Sequence, residues 1–114
     1  MYEQMDMMQF LHGAGAFQPG EYVEKSSLGE RLTFGEIANM EGCLIAIDNS
    51  TKSKESYKIV RIERIIKDSG HRRLVYYDGS KQRGMVDEMY FDESLPFPAR
   101  AYRPGNGGRH EGRI

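Results

Sequence analysis

Residues 57–77, YKIVRIERIIKDSGHRRLVYY, decide how this chain is read. The first half is ambiguous alone: its Ile and Val suit a strand, yet Ile59, Ile62 and Ile66 also fall on a helical stripe. The neighbours arbitrate. Asp68-Ser69-Gly70 is a hairpin connection with glycine where a positive φ is favoured, and the β-prone run HRRLVYY follows at once. The expectation is an antiparallel hairpin of 57–67 and 71–77. Pairing Lys67 with His71 across a three-residue loop puts Val60, Ile62, Leu74 and Tyr76 on one face, the core side. Arg61, Glu63, Arg73, Val75 and Tyr77 take the other face, with Arg61 opposite Tyr77 and Glu63 diagonal to Arg73.

Upstream of the hairpin stands the clearest local signal in the chain. Thr33 and Glu36 have capping-box spacing, in which the Thr hydroxyl accepts from the Glu N–H and the Glu carboxylate accepts from the Thr N–H. Leu32 and Ile37 flank them as a hydrophobic staple, and Gly42 sits where a left-handed C-terminal residue is wanted. A short helix is expected near 34–41, covering one open end of a sheet. The apolar run Cys43 to Ile47 reads as the most buried strand, closed by the turn Asp48-Asn49-Ser50. Further back, Glu21 to Lys25 suits a short strand and Ser26 to Glu30 a polar loop.

Downstream, Asp78-Gly79 is a second hairpin dipeptide and residues 82–91 alternate well enough for another strand. Leu95, Phe97 and Tyr102 are expected to anchor a last extended piece, in which Pro96 and Pro98 exclude a central strand. At the N-terminus, Met1, Met5, Met8 and Leu11 recur near a helical turn, with Met7 and Phe10 widening the stripe, so an N-terminal amphipathic helix is expected over 2–11. A helix this short must dock on its own domain or on a partner. The division expected is an N-terminal segment 1–20, one globular β-rich domain 21–103, and a disordered Gly/Arg tail 104–114. The fold class is mainly β: a small antiparallel curled sheet or SH3-like barrel of about five strands.

Composition sets outer limits. The 114 residues make one ordinary domain, and 39% hydrophobic with 29% charged residues fits a water-exposed globule. No apolar run nears the roughly 18 residues that cross a bilayer, and the first residues lack a secretory pattern, so the expected location is cytoplasmic. One cysteine forbids an internal disulfide. The net charge of −1 is a cancellation. Residues 1–50 carry eight acids and two bases, a balance of −6, and residues 51–114 carry fourteen bases and nine acids, a balance of +5. Ten of those bases lie in 51–86, directly before the acidic run Asp87, Glu88, Asp92, Glu93.

Catalytic and cofactor patterns are missing. His12 and His110 lie in the terminal segments, which leaves His71, beside a hairpin loop, as the one histidine on an expected element. Cys43 reads as an inert buried thiol, Gly13-Ala14-Gly15 lacks dinucleotide-loop spacing, and Asp48, Ser50 and Lys52 fail the calcium-loop pattern because Lys is no ligand. Asp87 and Glu88 would point to opposite faces of a strand, so the acidic run reads as compensation for the preceding bases rather than as a metal site. No cofactor and no enzymatic activity are expected.

What remains is binding. The leading expectation is a protein-interaction or regulatory accessory protein, of a size that suits a bacterial mobile element or phage, working through Met5, Met8 and Phe10 and an exposed strand edge. The alternative is a nucleic-acid-binding module. Arg61, Lys67, Arg72, Arg73 and Tyr77 would present guanidinium groups to phosphates and a ring to bases, with Arg109 and Arg113 of the Gly-rich tail adding charge. The same hairpin residues also suit a plain solvated face, in which Arg–Tyr stacking and Arg–Glu pairing need no ligand.

Overall fold

The architecture is that of a computed structural model and covers residues 17–105. The elements in chain order are β1 (Tyr22–Val23), a 3-10 turn (Lys25–Ser27), β2 (Leu28–Leu32), α1 (Phe34–Ile37), β3 (Leu44–Asp48), β4 (Tyr57–Asp68), β5 (His71–Tyr77), β6 (Gly84–Asp87), a second 3-10 turn (Glu88–Phe91) and β7 (Ala101–Pro104). The expected hairpin is the backbone of the fold. β4 has twelve residues and so runs roughly 40 Å.

Its turn differs from the expected one. Ser69 and Gly70 both have positive φ, 52° and 84°, which makes a two-residue connection of the type that follows strand twist. Asp68, not Lys67, therefore stands opposite His71, and the pairing near the tip is one residue off the expected register. A β-bulge between Ile62 and Arg64 absorbs Glu63 and cancels the offset. Inward of the bulge, Ile62 faces Tyr76 and Arg61 faces Tyr77, so the expected core face holds: Val60, Ile62 and Leu74 are fully buried and Tyr76 is half-buried against them.

All seven strands belong to one antiparallel sheet, ordered β2-β7-β3-β4-β5-β6. β1 pairs with β4 through Tyr22–Lys58 and Val23–Tyr57, filling the edge of β4 where β5 has ended. The sheet is open, with β2 and β6 at its two ends. The barrel expectation fails because β4 outruns β3, whose pairing stops at Arg61. The outer half of β4 carries β5 and β6 away from β2 instead of curling them onto it.

Apolar side chains cover both faces of the inner sheet. One face gathers Leu32, Phe34, Ile37, Ile45, Val60, Ile62, Leu74 and Ala101. The other packs Phe17, Val23, Leu28, Leu44 and Tyr102 on Ala46, Tyr57 and Ile59, with the Tyr57 and Tyr102 rings edge-on at 5.8 Å. Burying an Ile or Phe side chain contributes about 1.5–3 kcal/mol, so these two layers hold the fold.

α1 is positioned by the expected capping box. Glu36 N–H donates to the Thr33 hydroxyl at 3.1 Å, and Thr33 N–H donates to the Glu36 carboxylate at 2.8 Å. Leu32 and Ile37, the staple pair, are both buried. The helix stops at Ile37, short of the expected residue 41, because Asn39, Met40 and Cys43 N–H groups bond three residues back in successive turns. Gly42 then takes a φ of 89°.

Four other expectations are corrected. Cys43 is exposed, since it belongs to this chain of turns and the strand begins only at Leu44. The segment assigned to a polar loop, Ser26 to Glu30, runs into β2, a sheet-edge strand whose Gly29, Glu30 and Arg31 hid it from a search for apolar alternation. Residues 82–91 give a four-residue strand followed by a 3-10 turn, not one continuous strand. Phe97 anchors nothing: it is 83% exposed, while Ala101 and Tyr102 enter β7, between β2 and β3. Pro104 ends that strand, where its missing N–H is tolerated, and the Gly105 N–H donates to the Ser27 carbonyl.

Candidate binding surfaces

The sequence nominated five described residues for nucleic-acid contact, and the sheet distributes them over two faces. Arg61 and Tyr77 meet as expected, with the guanidinium carbon 4.9 Å from the ring centroid. Arg83, which sequence reading did not nominate, lies over the same ring at 4.8 Å. Glu63, set out by the bulge, accepts from Arg83 Nε at 2.8 Å and lies 3.6 Å from an Arg61 nitrogen. That contact with Arg83 is the first reason its carboxyl is held below the usual carboxylate range. The expected diagonal from Glu63 to Arg73 is replaced by this cluster, because the bulge shifts Glu63 out of register.

Arg73 pairs with Asp87 at 2.6 Å, and Arg72 forms a two-point bond with Glu88 at 2.9 and 2.8 Å while stacking over Phe34. Strand alternation explains the division: neighbouring arginines on β5 point to opposite faces, and the consecutive acids Asp87 and Glu88 meet one each. The acidic run compensates the basic hairpin directly. Glu88 is held below its usual range by the hydrogen bond from Arg72, and Arg72 is raised by the same bond. Farther along, Glu93 pairs with Arg31 and lies 3.5 Å from Arg100.

Lys67 is exposed at the hairpin tip and makes no ion pair with another described residue. The same holds for Lys52, Lys54, Arg64 and Lys81, which are spread from the loop before β4 to the loop before β6. No continuous track of free cations runs along the hairpin. Met5, Met8, Phe10, Arg109 and Arg113, with the N-terminal helix and most of the Gly/Arg tail, lie outside the described residues. Among the described residues, no group of three or more His, Cys, Asp or Glu side chains is placed to hold a metal, and no helix is long and apolar enough to cross a membrane.

The strand edges differ more than the faces do. Past Ile62, the β4 edge that β3 leaves free is occupied at one point by Glu41, whose carboxylate accepts from the Ile65 N–H at 3.2 Å. The bulge at Glu63 and the charge of Lys67 guard the rest. β2 also carries a bulge, and its Glu30 and Arg31 are engaged with Arg103 and Glu93. β6 carries no bulge. Among the described residues nothing pairs with its outer side, and Met85 and the following Met89 are 58% and 55% exposed. Sequence reading named an exposed strand edge without locating it. The signal was present in Gly84-Met85-Val86, the part of this hairpin system where the charges give way to an apolar step.

Comparison with known protein families, with characterised proteins and with solved structures gives no match. The functional reading therefore rests on these surfaces alone.

Proposed function

We propose that the chain is a non-catalytic protein-interaction module that accepts an extended segment as an added strand along the outer edge of β6. Main-chain hydrogen bonds would supply much of the affinity, and Met85 and Met89 would supply adaptable apolar contact. The observation that carries this reading is the contrast between the edges: β4 and β2 carry bulges and Glu41 occupies an amide of β4, whereas β6 is unbulged and leaves its outer backbone and Met85 uncovered, with Met89 exposed in the turn that follows. The nucleic-acid alternative has less support. Arg61, Arg72 and Arg73 already face Glu63, Glu88 and Asp87, and a phosphate would have to compete with those carboxylates. The lone, exposed Cys43 suits a reducing, cytoplasmic setting.

Affinity capture from the native cell, with wild type and Met85→Lys side by side, tests the reading. A protein held by wild type and lost with Met85→Lys is the expected outcome, since a lysine at an edge opposes strand addition. Capture that is unchanged by Met85→Lys contradicts it. Labelled single strands and duplexes test the alternative, which requires binding that weakens steeply as salt rises.

A further inference from the structure

We infer that the strand accepted by β6 is β6 of a second copy of this chain, an inference that rests on reading β6 as the binding edge. The segment Arg83-Gly84-Met85-Val86-Asp87 has opposite charges at its two ends and a methionine at its centre. Run antiparallel to itself about a two-fold axis at Met85, it sets Met85 opposite Met85, and Arg83 of each copy opposite Asp87 of the other. Two-fold symmetry permits only registers centred on a residue pair, because hydrogen-bonded and non-bonded pairs alternate along an antiparallel ladder. The next such register, centred on Val86, sets Asp87 against Met85 and Glu88 against Gly84. It loses both charge pairs. Between these two registers, charge complementarity favours the one centred on Met85.

The surroundings fit that register on both faces. Arg83, Met85 and Asp87 share the face on which Arg83 already meets Glu63 and Asp87 already meets Arg73. Association would extend these pairs into an alternating row, Glu63, Arg83, then Asp87 and Arg73 of the second copy, crossing the interface twice by symmetry. The exposed Met85 side chains would cover each other in the middle. On the opposite face, Gly84 would stand across from Val86 of the second copy. Gly84 has no side chain because the Tyr76 ring occupies that space, so Val86 would meet the ring. The other edges do not offer this: Glu41 occupies the Ile65 N–H on β4, and a bulge between Leu28 and Arg31 interrupts β2.

The test uses the full chain. Sedimentation across a concentration series should show wild type passing from one to two chains. Arg83→Glu and Asp87→Arg alone should each weaken association by about tenfold or more, and the double exchange should recover part of that loss, because the pair between copies re-forms while Glu63 and Arg73 meet like charges within each chain. In a Cys43→Ser background, Met85→Cys should form a disulfide-linked dimer under mild oxidation, since directly opposed residues bring their Cα atoms within disulfide range. Lys67→Cys in the same background should not. Circular dichroism of each variant separates loss of association from loss of fold. A single-chain mass at every concentration, with Met85→Cys linking no faster than Lys67→Cys, overturns the inference. If Met85→Lys still abolishes capture of a different protein in that case, the edge reading survives and only the second copy is wrong. If it does not, both fall together.

Discussion

The inner half of β4, Tyr57 to Ile62, and its outer half, Glu63 to Asp68, are continuous in one strand and are held by different physics. Inside the bulge, β4 has neighbours on both edges and apolar layers on both faces, and Tyr57, Ile59, Val60 and Ile62 are buried. Outside it, β4 pairs only with β5, its Ile residues are half-buried, and the surrounding side chains are mostly charged. The inner half holds the core, and the outer half carries β5 and β6 beyond it. The core and the proposed interaction surface thereby share one hairpin, with Glu63 at the border.

Removing buried volume should separate the halves most strongly. Ile62→Ala is expected to cost about 2–5 kcal/mol through lost burial and a residual cavity. Ile66→Ala, on the half-buried outer segment, should cost well under half of that in the same urea titration. Equal losses would mean that the outer segment is core. Glycine gives the next contrast. Gly20 has a φ of 95°, and a Cβ there would lie 2.5 Å from the Asp78 carbonyl oxygen, in the junction that docks β1 on the inner sheet. Gly70 has a φ of 84° in open space at the hairpin tip. Gly70→Ala should cost roughly the 1–2 kcal/mol of left-handed backbone, and Gly20→Ala should cost more because backbone must also move.

A smaller effect should appear in acid. The Asp78 carboxyl is lowered from 3.8 to about 2, chiefly by hydrogen bonding from Ser80 and then from Lys58. Because its folded value is the depressed one, the stability it contributes is complete above pH 4 and fades as pH falls toward 2. Asp78→Asn should flatten that part of the stability profile, and an unchanged slope between those limits would remove the pair from the account. Least of all should depend on the surface ion pairs of the outer half. A double-mutant cycle on Arg72 and Glu88 should return a coupling of about 1 kcal/mol or less, since both side chains are partly exposed. A coupling several times larger would make the outer half a structural element in its own right.

Much of this division was legible in the sequence, for local reasons. The turn near Gly70, the Thr33–Glu36 box and the apolar run ending at Ile47 act over a few residues, and each lies where its pattern stands, although the turn is one residue shorter than expected and the strand begins one residue later, at Leu44. The bulge was not legible, since nothing in Arg61-Ile-Glu-Arg64 distinguishes an extra residue from a paired one; only the two-residue turn, by shifting the register, makes it necessary. β2 was missed because an edge strand needs few apolar residues. For the candidate site, the expected Arg61–Tyr77 contact holds because the Glu63 bulge cancels the shift made at the turn, and its completion by Arg83 and the cancellation of Arg72 and Arg73 depend on how β6 returns beside β5. That is long-range pairing, which side-chain alternation within one segment does not encode.

Two copies of the chain are proposed to join edge to edge along β6 and not along the outer edge of β4. Amide hydrogen exchange measured at low and high protein concentration tests this directly. The account predicts that outward-facing amides among residues 84–87 gain protection as concentration rises, while those of residues 64–68 keep the same rate. Protection that rises along 64–68, or that fails to rise along 84–87, would contradict it.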